Sequence, residues 1–199
     1  MLPQLIASRL AMAPDPVRII LIFFAYSFLG YVLECIVLTI QTRKLVVNRG
    51  FSSHLPFCII YGFGAMAGFA LLHPLADRPL LLFLAGAVGA TVFEYLVARL
   101  QIKLFGDFWW DYNEKHLNYQ GIICLESTIG WGLAALLVIN VAHHAMVGVV
   151  RTIPGEVAMV LAVALPALYL ADFFYSARQA REEREDQMLQ PGEAWQGKD

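Results

Sequence analysis

The sequence predicts an all-α fold, a polytopic membrane helical bundle of about five transmembrane helices, and three observations carry that expectation. Hydrophobic residues make up 59% of the 199 and charged residues only 15%, against roughly a quarter charged in soluble domains. Mean hydropathy is +0.61. The apolar residues fall into runs of about 20, the length that crosses a hydrocarbon core of roughly 30 Å, and most of the charge lies between the runs or at the tail.

Residues 1–16 are too short to cross and read as an amino-terminal interfacial segment. They offer no cleavable signal, because Arg9 is followed by a Pro-broken stretch and the next apolar run is too long. The transmembrane domain covers 17–177, with spans expected at 17–40, 56–73, 79–104, 121–142 and 156–177. Residues 178–199 form a charged tail. Arg178, Arg181 and Arg184 alternate there with Glu182, Glu183, Glu185 and Asp186, a pattern that continues the last span as a solvated helix, with disorder expected beyond Pro191.

With five spans, Arg43, Lys44, Arg49, Lys103, Lys115, Arg178, Arg181 and Arg184 fall on one side, against Arg9, Arg18, Arg78 and Arg151 on the other. Basic residues are retained in the cytoplasm. The expected topology in the plasma membrane is therefore amino terminus out and carboxyl terminus cytoplasmic. It puts the connections 41–55 and 105–120 in the cytoplasm and those at 74–78 and 143–155 outside.

A formal net charge of −2 gives no surface for nucleic acid. Cys35, Cys58 and Cys124 are far apart, with no CxxC and no Cys/His ligand spacing, so neither a disulfide framework nor a metal or other cofactor is expected. His143 and His144 are adjacent and point to different helix faces, and no Ser/His or HExxH constellation occurs. The chain is not expected to be an enzyme.

Ionisable residues inside a span cost at least about 2.5 kcal/mol on insertion scales, so they normally face protein or water. Glu34 follows Ser27 and Gly30, Glu94 lies on the row Gly86, Ala90, Glu94, Ala98, and Glu126 heads the row Glu126, Gly130, Ala134. Small residues at such spacing let helices approach closely. All three glutamates are expected to point into the bundle as one polar layer near the cytoplasmic face, a substrate or ion pathway. The plainer reading is that Ser27, Tyr95, Arg99 or Ser127 bonds them and they lock the packing. Asp172 can pair with Tyr169 and Ser176 near the interface.

The first polar connection holds the turn signal Asn48, Arg49, Gly50 before Phe51, and Pro56 suits the first turn of the next span. Either it enters the bilayer plainly, which the sequence favours, or it dips in and returns. In the second, Trp109, Trp110, Tyr112 and Tyr119 suit an interfacial anchor. Anchoring does not require Asp107, Asp111 or Glu114, and the alternative is that a carboxylate beside the paired tryptophans, such as Asp111, clamps Arg49 or Lys44 of the first connection.

The segments YSFLGYVLE (26–34), NRGF (48–51), PFCIIYGFG (56–64), FEY (93–95), KLFGDFWWDY (103–112) and NYQGIICLES (118–127) together resemble the putative ABC-transporter permease family often called type IV. Where that family carries a second Glu near the end of the third span this chain has Ile102, and Phe108 replaces a basic residue before the tryptophans. The resemblance implies a permease-like membrane subunit. No GxxxxGK[ST] P-loop occurs, so transport requires a separate ATPase subunit. Five spans are few for an alternating-access path, so a homo-oligomer is expected among membrane lipid. The alternative is a non-transporting structural or regulatory membrane protein whose loops, through Asn48, Arg49, Gly50, Phe51, Trp109, Trp110, Asp111 and Tyr112, bind a partner.

Overall fold

The computed structural model describes residues 15–47 and 54–189, and among them all regular structure is helical apart from one isolated bridge between Tyr119 and Ile123. Helix α1 (Pro16–Thr42) opens on Asp15, whose carboxylate accepts from the Arg18 amide at 2.8 Å, with Pro16 at the first position, where a missing N–H costs nothing. Helix α2 (Ile59–Leu72) continues through a 3-10 turn, His73–Leu75. Helix α3 (Pro79–Phe105) again begins with Pro and ends on Gly106 at φ 78°, whose N–H bonds Ile102 O at 2.8 Å.

Helix α4 (Leu125–Leu137) passes through a π turn, Val138–Ala142, into α5 (His143–Arg151). The fourth span thus runs Leu125–Arg151 rather than 121–142. Gly121, at φ +68°, turns the chain before it, and Cys124 caps its start by accepting from the Ser127 amide. The stretch expected as an external loop from 143 is helix as far as Arg151. Helix α6 (Gly155–Leu189) carries the last span into the tail, with Pro166 inside it.

Four of these helices, Pro16–Ile40, Pro79–Phe105, Leu125–Arg151 and Gly155–Gln179, are long and apolar enough to cross a membrane, and Ile59–Leu75 is a shorter apolar helix. The protein is a membrane protein. Leu84, Val88, Val92, Leu96, Leu100 and Leu104, each four residues from the next on α3, are 50–63% exposed, so a whole helix face is built for lipid. The opposite row, Gly86, Glu94 and Ala98, is buried against the bundle.

Two features set the depth of the connections. The Cys58 amide bonds the Ser27 carbonyl at 3.0 Å. Ser27 lies 15 residues before the end of α1, about 22 Å at 1.5 Å per residue, so the chain leaves α1 and folds back along it before α2 begins. Likewise Thr128, in the first turn of α4, meets Thr91 at 2.9 Å, far inside the end of α3 at Phe105. The same order therefore occurs twice: a Pro-initiated helix of 27 residues bearing a glutamate, a connection, and a shorter helix with Cys at its N-cap position, where only the Cys124 side chain makes a capping bond.

Close packing is specified by glycine. A Cβ on Gly30 would strike the Tyr61 ring, and one on Gly86 would strike Ala135, whereas nothing lies within 4 Å of the equivalent position on Gly89 or Gly130. Gly30→Val and Gly86→Val are therefore expected to destabilise by about 1–3 kcal/mol through overpacking, while Gly89→Ala and Gly130→Ala leave stability unchanged or slightly raised. Thermal unfolding of the purified protein in detergent checks all four.

Candidate functional site

Glu94 is one of two buried carboxylates among the described residues, 7% exposed, the other being Asp172. Its Oε1 accepts from the Tyr112 hydroxyl at 3.1 Å, and its Oε2 accepts from Trp131 Nε1 at 3.1 Å and from Ser127 Oγ at 3.4 Å. The donors come from the second connection and from α4, so one side chain of α3 ties three segments together. Desolvating a carboxylate is costly unless such donors replace water.

Glu34 is half-buried on α1 and accepts from the Tyr61 hydroxyl of α2. The Tyr61 ring lies 5.9 Å from Trp131, the indole that bonds Glu94. Glu34 is also an electrostatic neighbour of Glu94, Tyr112 and Cys58. The two glutamates with Tyr61, Tyr112 and Trp131 thus form one polar and aromatic cluster. A phenol bonded to a carboxylate can hold or pass a proton, and the carboxylate can exchange the phenol for a cation.

Glu126 does not join them. It sits in the first turn of α4 with its side chain 55% exposed, paired with Lys115 Nζ at 2.9 Å. Because the helix starts only at Leu125, Glu126 occupies the positive end of the helix dipole, beside a loop lysine, and its row with Gly130 faces outward. Thr128, Trp131 and Ala135 take the face toward α3 instead. The expected inward layer of three glutamates is an inward pair and an exposed ion pair.

The second connection, 106–124, is held largely by its own bonds. Trp110 Nε1 donates to Ile122 O at 2.8 Å, the Tyr112 amide to Gly121 O at 2.8 Å, and Asn118 Nδ2 to Asn113 O and Lys115 O at 3.0 Å each. Trp109 stays 40% exposed and packs its ring near Phe105. Asp111 closes a local turn by accepting from the Asn113 amide at 2.8 Å, so among the described residues its bond is to this turn and not to Lys44. Asn48, Arg49, Gly50 and Phe51, with the Arg49 side of the expected clamp, lie outside the described residues, as do residues 1–14 of the interfacial segment and the tail beyond Pro191.

Sequence reasoning named Ser127 as a donor but missed Tyr61, Tyr112 and Trp131. Tyr61 and Ser127 each stand three residues after the cysteine at a helix N-cap position, and that shared Cys-x-x-hydroxyl spacing was the available signal. It also missed the distant partner of the buried Asp172: His54 Nδ1 donates to its Oδ1 at 2.7 Å, joining the first connection to α6. At the other end of the bundle His143 is buried, stacked on Phe69 at 3.5 Å and 3.3 Å from the Tyr26 hydroxyl.

A family model described as "Putative ABC-transporter type IV" matches residues 21–177. No curated protein and no solved structure matches the chain.

Burial, reinforced by the Glu94 charge, pushes the Tyr112 hydroxyl well above the ordinary phenol range. A raised folded-state value means that stability is complete below about pH 10, the unfolded tyrosine value, and falls as pH rises beyond it. Tyr112→Phe is expected to lose about 1–3 kcal/mol near neutrality, the range for a hydrogen bond to a charged group, and to show a shallower alkaline loss than wild type. Chemical unfolding between pH 7 and 11 reads both.

Proposed function

The chain belongs to the ABC-transporter type IV family matched over residues 21–177, and on that premise we propose that it is the membrane-embedded subunit of a transporter whose Glu34 and Glu94 line a polar site for substrate or ion. The observation that carries this is the convergence of two carboxylates, two tyrosine hydroxyls and an indole N–H from α1, α2, α3, α4 and the second connection. Intramembrane carboxylates gathered from several helices commonly mark pathways. Glu126, exposed and ion-paired, contributes at the mouth rather than within.

The orientation that fits is amino terminus out and carboxyl terminus in the cytoplasm of a plasma membrane, since Arg43, Lys44, Lys103, Lys115, Arg178 and Arg181 share the end bearing the folded-back connections. A cytoplasmic ATPase is the partner that such a subunit requires. The exposed Trp109 and Leu117 of the second connection, with Leu45 of the first, supply apolar contacts for it. A second copy of the chain completes the pathway, because five helices enclose little volume.

One observation favours the non-transporting alternative. Both oxygens of Glu94 accept bonds from within the chain, as expected of a carboxylate that only locks the bundle.

Crosslinking and mass spectrometry on native membranes, followed by nucleotide hydrolysis by the isolated complex, distinguishes the two. The transport reading expects a nucleotide-binding subunit crosslinked to residues 106–124, and hydrolysis reduced by Glu34→Gln with Glu94→Gln in a complex that still assembles. No nucleotide-binding partner, or full hydrolysis with both substitutions, overturns it.

A further inference from the structure

Hydrogen bonding at the carboxylate cluster is one-sided. Tyr61, Tyr112, Ser127 and Trp131 already direct their side-chain donors at Glu34 or Glu94. Only one oxygen of Glu34 accepts such a bond, which leaves the other as an acceptor with no donor among the described residues. Gln101 supplies a second free acceptor from α3. It is 5% exposed, and its Oε1 is buried without a hydrogen-bond partner among the described residues. A buried amide carbonyl in that state is costly unless a donor reaches it. Gln101 shares the buried row of Glu94 and Ala98, and side chains on a helix lean toward its amino-terminal end, so Gln101 leans across the fully buried Ala98 toward Glu94.

The charge is equally one-sided. Among the described residues Lys115 is paired with Glu126 and His54 with Asp172, Arg99 and Lys103 of α3 are exposed, and neither Glu34 nor Glu94 forms an ion pair. A ligand suited to this site is therefore positive and donates hydrogen bonds. A carboxylate or phosphate would meet two like charges, and a polyol would need free donors that the cluster does not offer. No three metal-ligating side chains converge among the described residues, which argues against a bare metal ion. The Tyr61 and Trp131 rings, 5.9 Å apart and inclined at 49°, instead place aromatic surface beside the carboxylates, the surroundings that favour an alkylammonium. At 1.5 Å per residue, Gln101, Glu34 and Glu94 lie about 6, 12 and 16 Å inside the ends of their helices at Phe105 and Thr42, so the acceptors are staggered in depth.

We propose that the ligand of this site is a primary alkylammonium cation, which enters past the Gln101 carbonyl and is held by the free oxygen of Glu34, its alkyl group against Tyr61 and Trp131. Glu94, whose oxygens are both bonded within the chain, adds negative charge rather than a ligand atom. The proposal rests on the reading of Glu34 and Glu94 as a pathway and names what that pathway takes.

Scintillation-proximity binding of radiolabelled ethylammonium to the purified protein in detergent tests it. Saturable binding is expected, displaced by unlabelled ethylammonium and far less well by tetramethylammonium, which has the charge but no N–H, or by sodium. Glu34→Gln and Gln101→Met should each weaken binding about tenfold, the size of losing one hydrogen bond to a charged group. Glu34→Gln keeps an oxygen for the Tyr61 hydroxyl. Gln101→Met removes a carbonyl that has no partner among the described residues, so its thermal unfolding temperature is expected to equal or exceed that of wild type while its binding falls. Equal displacement by tetramethylammonium or sodium overturns the proposal, as does Gln101→Met binding unchanged from wild type. Absence of saturable binding also overturns it, and leaves the transport reading to its own test by crosslinking and nucleotide hydrolysis.

Discussion

The Glu94 carboxylate is the constraint around which the rest of the bundle is arranged. Placed midway along a helix whose opposite face is a row of exposed aliphatics, it is only 7% exposed. It is tolerated because three donors from two other segments reach it. Satisfying it requires α4 to begin beside the middle of α3 rather than at its end, and requires the second connection to fold back far enough to bring Tyr112 alongside. Register, loop course and helix start follow from one buried charge.

The first half of the chain solves the same problem with different residues. Glu34 plays the part of Glu94, Tyr61 that of Ser127, and Cys58 that of Cys124, while the Cys58 amide fixes depth by bonding the Ser27 carbonyl. The two units run in the same direction through the bundle, and the Tyr61 ring beside Trp131 brings their carboxylate ends together. The remaining helices pack differently. Leu21, Ile22 and Tyr26 of α1, Val150 of α5, and Ala158 and Ala162 of α6 make an apolar core at the opposite end, leaving the polar chemistry to the folded-back side.

Much of this was legible in the sequence. Run length and the row Gly86, Ala90, Glu94, Ala98 correctly marked α3 as a span with that face inward, because small residues at four-residue spacing have little use except close helix contact. The same reasoning failed at Glu126. A row such as Glu126, Gly130, Ala134 reads identically whichever face meets protein, and what decides is where the helix begins, which Gly121 and the Cys124 cap determine. The repeat was nearly invisible because its halves share spacing and function of residues, not identity. His54 with Asp172 could not have been foreseen, since residues 118 apart in sequence meet only through the folded-back course.

The second connection packs over the Glu94 carboxylate, bonded to it through Tyr112 and to its own backbone through Trp110. The central claim is that Glu94, through Tyr112, holds the second connection down over the start of α4. Cys124, 3% exposed where that connection enters α4, reports on it directly. In a background with Cys35 and Cys58 replaced by alanine, the rate of Cys124 labelling by a membrane-impermeant maleimide should be low in the otherwise wild-type protein and rise sharply in Tyr112→Phe, with the helical content unchanged. Equal rates in the two proteins would contradict the account.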